Sequence, residues 1–135
     1  MSTVIAFGTF DYFHAGHESY LHQAKALEDK LIVVVARDET ALRIKGKYPD
    51  HKEKVRLSHV RASGITDKVV LGSLTDKYEV IRTYRPSIIA LGYDQFTFTF
   101  RLKKLLIEEK MNAQIVRMQP YQPEIYKTSL IKALI

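Results

Sequence analysis

The chain has 135 residues, 46% hydrophobic and 27% charged, a balance that excludes a disordered or fibrous protein and fits one globular domain over residues 1–135. It holds no cysteine, which excludes disulfide frameworks, thiolate zinc sites and cysteine nucleophiles. Twenty-one Lys and Arg against fifteen Asp and Glu give a charge of +6, which favours anionic partners: phosphate esters, nucleic acid or an acidic membrane surface.

A strand is predicted at 3–7, with no basic leader or cleavage site before it, and no apolar run approaches the roughly 18 residues of a membrane span. A cytoplasmic protein with no membrane partner is expected. The strand runs into Gly8-Thr9-Phe10-Asp11-Tyr12-Phe13-His14-Ala15-Gly16-His17, and a helix follows over 16–27. Ligands of open α/β sheets bind beyond the carboxyl ends of strands, which is where this turn lies. Gly8 lets backbone approach a ligand and Gly16 allows tight packing as the helix starts. His14 and His17 would flank a helix N-terminus, where free N–H groups and the helix dipole already attract phosphate; a capping or half-exposed histidine is the plainer reading of either alone.

A second strand is predicted at 30–36, and the segment 45–51, with Gly46 and Pro49, reads as an irregular loop. It carries Lys45 and Lys47, whose flexible ammonium groups can close on a polyphosphate, although most surface lysines do nothing of the kind. A helix over 52–63 bears Arg56, whose ordinary reading is a solvated helix face. A strand at 68–71 and a helix over 77–84 lead through Arg85-Pro86 to a strand at 87–91. Gly92 and Asp94 follow; a glycine and a carboxylate here suit a ribose or base edge, and Asp94 would look the same as a helix cap.

A helix over 99–110 and a strand at 113–118 containing Arg117 come next, then a loop at 119–126 with Pro120 and Pro123 and a helix over 128–134. Thr128 and Ser129 begin that helix, as N-caps or as phosphate ligands. Strand-like runs alternating with helical periods predict an α/β protein: a single Rossmann-like, doubly wound sheet of about five parallel strands with helices on both faces. Basic residues are spread along the chain instead of forming an arm, which weakens the case for nucleic acid.

The segment from Gly8 to His17 resembles the G-x-F-D-x-x-H-x-G-H signature of the nucleotidyltransferase superfamily that includes the cytidylyltransferases and several adenylyltransferases. The resemblance implies transfer of a nucleoside monophosphate from a nucleoside triphosphate, ATP or CTP, to a phosphorylated acceptor, with release of pyrophosphate and no covalent intermediate. Catalysis of this kind is mainly positioning and electrostatic stabilisation. It implies a catalytic set of His14, His17, Lys45 and Lys47, and a nucleotide-binding set of Gly8, Thr9, Phe10, Asp11, Gly16, Arg56, Gly92, Asp94, Arg117, Thr128 and Ser129. Asp11 matches the motif's aspartate and reads equally as a turn residue capping N–H groups. Mg2+ would bridge the triphosphate oxygens, with its protein ligands unassigned. Relatives are commonly homodimers.

Val35-Ala36-Arg37-Asp38-Glu39-Thr40, Val70-Leu71-Gly72-Ser73-Leu74 and Leu91-Gly92-Tyr93-Asp94-Gln95 look most like the archaeal-type FAD synthases, over about the first 110 residues. That likeness implies transfer of AMP from ATP to FMN, with Phe96, Phe98, Phe100 and Tyr121 as stacking surface for the isoalloxazine ring or as core. The C-terminal segment lacks the cysteine those enzymes usually carry. The glycerol-phosphate cytidylyltransferases carry an arginine where this chain has Gln122, and Arg117 would stand in for it. The alternatives are a CTP-dependent cytidylyltransferase acting on glycerol 3-phosphate or a similar phosphate ester, and a non-catalytic nucleotide- or nucleic-acid-binding module on the same fold.

Overall fold

A run such as Leu31-Ile32-Val33-Val34-Val35, apolar on every residue, forms a strand only where both of its faces are covered. The computed structural model, which describes residues 2–76, 78–92 and 99–119 except the side chains of Thr99 and Phe100, covers it so. In chain order the elements are β1 (Thr3–Gly8), α1 (Ala15–Lys25), β2 (Lys30–Val35), α2 (Asp38–Lys45), α3 (Glu53–Ala62), β3 (Lys68–Leu71), α4 (Glu79–Tyr84), β4 (Ile88–Leu91), α5 (Thr99–Glu108) and β5 (Gln114–Arg117). The strands form one sheet in the order β3-β2-β1-β4-β5, and every pairing is parallel. The chain winds outward from β1 to β3, then crosses to β4 and β5 on the other side of β1. The strand order therefore reverses between β1 and β4, the switch point at which such sheets open a crevice.

Side chains alternate between two cores. Val4, Ala6, Leu31, Val33, Val35 and Ala90 pack with Leu21 and Ala24 of α1 and Val60 of α3. Ile5, Ile32, Val34, Ile89 and Leu91 pack on the other face with Val80 and Ile81 of α4 and Leu102, Leu105 and Leu106 of α5. Each fully buried aliphatic side chain contributes roughly 1.5–3 kcal/mol, so the two layers fix which residue of each strand faces which helix pair.

All five predicted strands lie within one residue of the observed ones, and the helices predicted at 16–27, 52–63, 77–84 and 99–110 lie within two residues at each end. The helix predicted over 128–134 lies outside the described residues. One element was not foreseen: α2 occupies Asp38–Lys45, so Lys45 ends a helix instead of opening a loop. Its signals are local. Asp38 and Glu39 occupy the first turn, Arg43 and Lys45 the last, and Gly46 takes the left-handed cap conformation at φ 80. With only Ala41 buried, α2 has almost no apolar stripe to reveal it.

Arg56 joins these pieces. Its side chain is wholly buried, which corrects the ordinary reading of a solvated helix face. Nε donates to the His51 carbonyl at 2.8 Å, and Nη1 donates to the Thr9 and Ala36 carbonyls at 2.8 and 2.9 Å. Nη2 pairs with Asp38 at 2.6 Å. The chain just after β1, the chain just after β2, the first residue of α2 and the loop before α3 therefore meet on one planar group. Nearby, Glu53 accepts from the Asp38 N–H and from Arg37, both contacts lying within 2.9 Å. Burial opposes ionisation of Glu53, yet those two donors hold its carboxyl below the usual range.

Arg56→Lys keeps the charge but gathers its donors at one point, leaving carbonyls unpaired in a buried site. Urea unfolding should show a loss of roughly 2–4 kcal/mol. A loss below about 1 kcal/mol would mean that the junction holds without the guanidinium fork.

Candidate active site

The turn from Thr9 to His14 starts at the carboxyl end of β1 and delivers the chain to α1. Two of its non-glycine residues, Phe10 and Tyr12, take left-handed backbone angles at φ 58 and 52, a conformation costing of order 1 kcal/mol or more each. Burial of Phe10 offsets that cost. Its ring is 2% exposed, stacks with Tyr20 at 6.3 Å and meets His17 edge-on at 5.4 Å. It also lies so close beneath Gly8 that a Cβ there would stand 2.6 Å from the Phe10 ring. Gly8 is glycine for that reason. Phe10 belongs to the core and shapes the turn from below.

Asp11 reaches a segment about 40 residues away. Its carboxylate accepts the N–H groups of Asp50 and His51 at 2.8 and 3.2 Å and lies 2.8 Å from the His51 Nδ1. Tyr12 donates its hydroxyl to Asp50 at 2.6 Å, which pushes the phenol up to about 12. The β1–α1 turn and the loop carrying Lys47 are thus tied together. His51 was not singled out from the sequence, because nothing local announces a partner so distant in the chain.

His14 and His17 form a reciprocal cap at the start of α1. His14 is the N-cap, and its Nδ1 accepts the Gly16 N–H at 3.0 Å; the His17 Nδ1 accepts the His14 N–H at 3.3 Å. An imidazole nitrogen that accepts an N–H carries no proton, so both rings are Nε2–H tautomers. The rings stack at 3.8 Å with 24° between their planes. Burial lowers His14 to about 4, and burial, His14 and Lys45 together lower His17 to about 3. Both are therefore neutral donors at neutral pH.

Lys45, at the end of α2, is near enough for its charge to act on His17. Lys47 is exposed on the loop beyond Gly46, a loop held to α2 by the Tyr48 hydroxyl donating to Glu39 at 2.8 Å. Across the switch point, Arg117 donates to the Gly92 carbonyl at 2.9 Å, fixing the end of β4. The site thus assembles Gly8, Thr9, His14, Gly16, His17 and Lys45 around the carboxyl end of β1, with Gly92 and Arg117 on the opposite lip. Neutral N–H donors, a helix N-terminus and an ammonium group suit an anion whose charge grows during reaction, without proton transfer. Asp94, Phe96, Phe98, Tyr121, Gln122, Thr128 and Ser129 lie outside the described residues, as does the side chain of Phe100. Among the described residues no group of three or more His, Asp or Glu gathers as a metal cluster.

Both histidines have folded values below the unfolded 6.5. Between those values the unfolded chain binds more protons, so their contribution to stability is complete above about pH 6.5 and is lost as pH falls toward 4 and then 3. Long-range 1H–15N spectra at pH 7 should show two neutral Nε2–H rings; an Nδ1–H signal from either would refute the reciprocal cap.

The cytidylyltransferase-like family model matches residues 5–134. The chain is 44% identical over 124 residues to the FAD synthase of Methanothrix thermoacetophila, covering 91% of this chain and 85% of that protein. It is 45% identical over 118 residues to the FAD synthase of Methanosarcina barkeri, covering 87% and 84%. With the FAD synthase of Thermoplasma acidophilum it shares 39% over 132 residues, covering 98% and 92%. Among solved structures, the lipopolysaccharide core biosynthesis protein from Thermoplasma volcanium superposes with a TM-score of 0.84 at 38% identity, covering 90% of this chain and 99% of that one. The pantoate-β-alanine ligase from Francisella tularensis, with a TM-score of 0.70 at 17% identity over 99% of this chain and 65% of that one, shares the fold alone. Matched along nearly its whole length, the chain belongs to the cytidylyltransferase-like family and is a nucleotidyltransferase.

Proposed function

We propose that this protein is an FMN adenylyltransferase that acts as one domain over residues 1–135 and converts ATP and FMN to FAD and pyrophosphate. The observation that carries the transfer half is the His14–His17 cap, two neutral donors held at the N-terminus of α1 beside Lys45. The kinship with three FAD synthases, each at least 39% identical, supports FMN as the acceptor.

In this reading a phosphate oxygen of FMN attacks the α-phosphorus of ATP in line. The new O–P bond forms as the bond to the β-phosphate oxygen breaks, and pyrophosphate leaves with its electron pair. The His14 and His17 Nε2–H groups donate to the transferring phosphoryl oxygens, and their depressed basicity suits donors that keep their protons. Lys45 and Lys47 close over the triphosphate, and the backbone at Gly8, Thr9 and Gly16 lines it. Gly92 and Asp94 take the nucleoside, while Thr128 and Ser129 take the outer phosphates. Asp11 and Arg56 act through the loop they hold, and Arg117 through Gly92. Mg2+ enters on the triphosphate as part of the substrate. The protein works in the cytoplasm, and among the described residues no helix is long and apolar enough to cross a membrane.

Purified protein supplied with ATP, FMN and Mg2+ should yield FAD and pyrophosphate in equal amounts, followed by chromatography and flavin fluorescence. No FAD would sink the assignment, and CDP-glycerol formed from CTP and glycerol 3-phosphate would replace it. In the same assay His17→Ala should lower kcat by about 10²–10³ with the fold retained, and near-normal turnover would remove the histidine pair from the mechanism.

A further inference from the structure

Three aromatic rings contact His17. His14 stacks on it at 3.8 Å with 24° between the planes, Phe13 stacks at 5.6 Å and 22°, and Phe10 stands edge-on at 5.4 Å. The Phe13 ring also meets Phe10, at 6.3 Å and 54°, and packs against the core cluster on that face of the sheet. Phe13 directly precedes His14, the N-cap of α1, so one short segment supplies both the cap and a ring stacked on His17.

The hydrogen bond at Nδ1 would by itself hold this imidazole loosely. It is 3.3 Å long, outside the common range of roughly 2.7–3.2 Å, and the torsion that turns a histidine ring is broad. A stacked neighbour narrows that torsion, because rotation would drive the edge of the imidazole against the neighbouring ring. Phe13 also lines a cleft of about 540 Å³ with Tyr12, Glu18, His51 and His59, and His17 is not among the residues that line it. The cleft is large enough to admit water, so a shorter side chain at position 13 would let water closer to His17.

We infer that Phe13 is a positioning residue for the nucleotidyl-transfer step: stacked on His17, it sets the plane of that imidazole and keeps water from it. The inference rests on the proposed reading in taking His17 as a donor to the transferring group, and it is independent of the acceptor. The Phe13 side chain has no polar atom to offer a substrate. Its effect on turnover therefore passes through His17 and vanishes when His17 is removed.

A double-mutant cycle in the FAD-forming assay tests this. Phe13→Ala should lower kcat about tenfold and leave the KM for ATP within about threefold. In a His17→Ala background the same substitution should lower kcat less than about twofold, because no imidazole remains to be held. Phe13→Leu, which keeps apolar cover, should recover most of the loss. Val60→Ala, a truncation in the cluster against which Phe13 packs, should lower Tm and leave kcat within about twofold. Equal losses from Phe13→Ala in the two backgrounds overturn the inference, and so does a loss of kcat in Val60→Ala as large as in Phe13→Ala.

Nuclear magnetic resonance gives a readout that needs no turnover. In the wild-type protein, Overhauser contacts should join the ring protons of Phe13 and His17. Burial, His14 and Lys45 hold His17 at about 3, and Phe13→Ala should let it titrate higher, toward the ordinary 6.5, since water then stabilises the charged ring. An unchanged His17 titration in folded Phe13→Ala overturns the inference. Should that variant not fold, the wild-type spectra decide: ring contacts between Phe13 and His17 uphold the inference, and their absence overturns it. Wild-type protein that yields no FAD defeats the proposed acceptor, and the His17 spectra then test this inference on their own.

Discussion

The geometry of the site depends on one buried cation. The Arg56 guanidinium is enclosed completely and satisfied by three carbonyls and a carboxylate from segments far apart in the chain. A buried charge is costly unless its donors are all well placed, so the surrounding backbone has little freedom to move without leaving that charge exposed to a poor environment. The consequence is rigidity where β1 and β2 end. Arginine fits this task because its donors are fixed in a plane and radiate outward, matching carbonyls that converge from different directions. Asp11 works from the other side, taking the N–H groups of Asp50 and His51 while Arg56 takes the His51 carbonyl. Residue 51 is thereby gripped at both ends of its backbone.

This rigidity has a purpose in a reaction where the protein contributes no covalent step. Stabilising the transferring group electrostatically requires donors already aimed before charge develops, since reorienting them during reaction would consume the benefit. The reciprocal histidine cap meets that requirement. Each ring is oriented by a backbone N–H at Nδ1, its tautomer follows from that bond, and burial keeps it neutral. The strained angles at Phe10 and Tyr12 belong to the same arrangement: the Phe10 ring is tucked under Gly8, and the turn above it is bent to bring His14 to the helix start.

What the sequence made legible was periodic or local. The strands, with apolar residues on both faces, and the glycine turn with paired histidines declared themselves because their signals repeat within a few residues. Arg56 was legible as a residue worth noting, but its burial was not, since position on a helix says nothing about partners at Thr9 and Ala36. Asp11 shows the same thing in milder form: capping was a fair reading, but the N–H groups it caps belong to residues 50 and 51. The short helix α2 escaped because it buries only Ala41 and is stabilised by its ends, through Asp38 on Arg56 and Gly46 at its C-cap. Tyr20 falls on the apolar face of α1 with Leu21 and Ala24, where a tyrosine reads as core until its hydroxyl is found between two strands.

The two flanks of β1 are held by different contacts at its carboxyl end. Toward β2, the pairing continues to Gly8↔Val35, the Ala36 N–H still bonds to Gly8, and Arg56 then staples the two chains beyond their last rung. Toward β4, the pairing ends at Ala6↔Ala90, where the Tyr20 hydroxyl accepts from the Phe7 N–H and donates to the Ala90 carbonyl. The histidine cap is mounted on the helix that also supplies Tyr20. A single helix, α1, therefore carries both the histidine pair and the tyrosine bonded to β1 and β4, and a shift of that helix would disturb the two together.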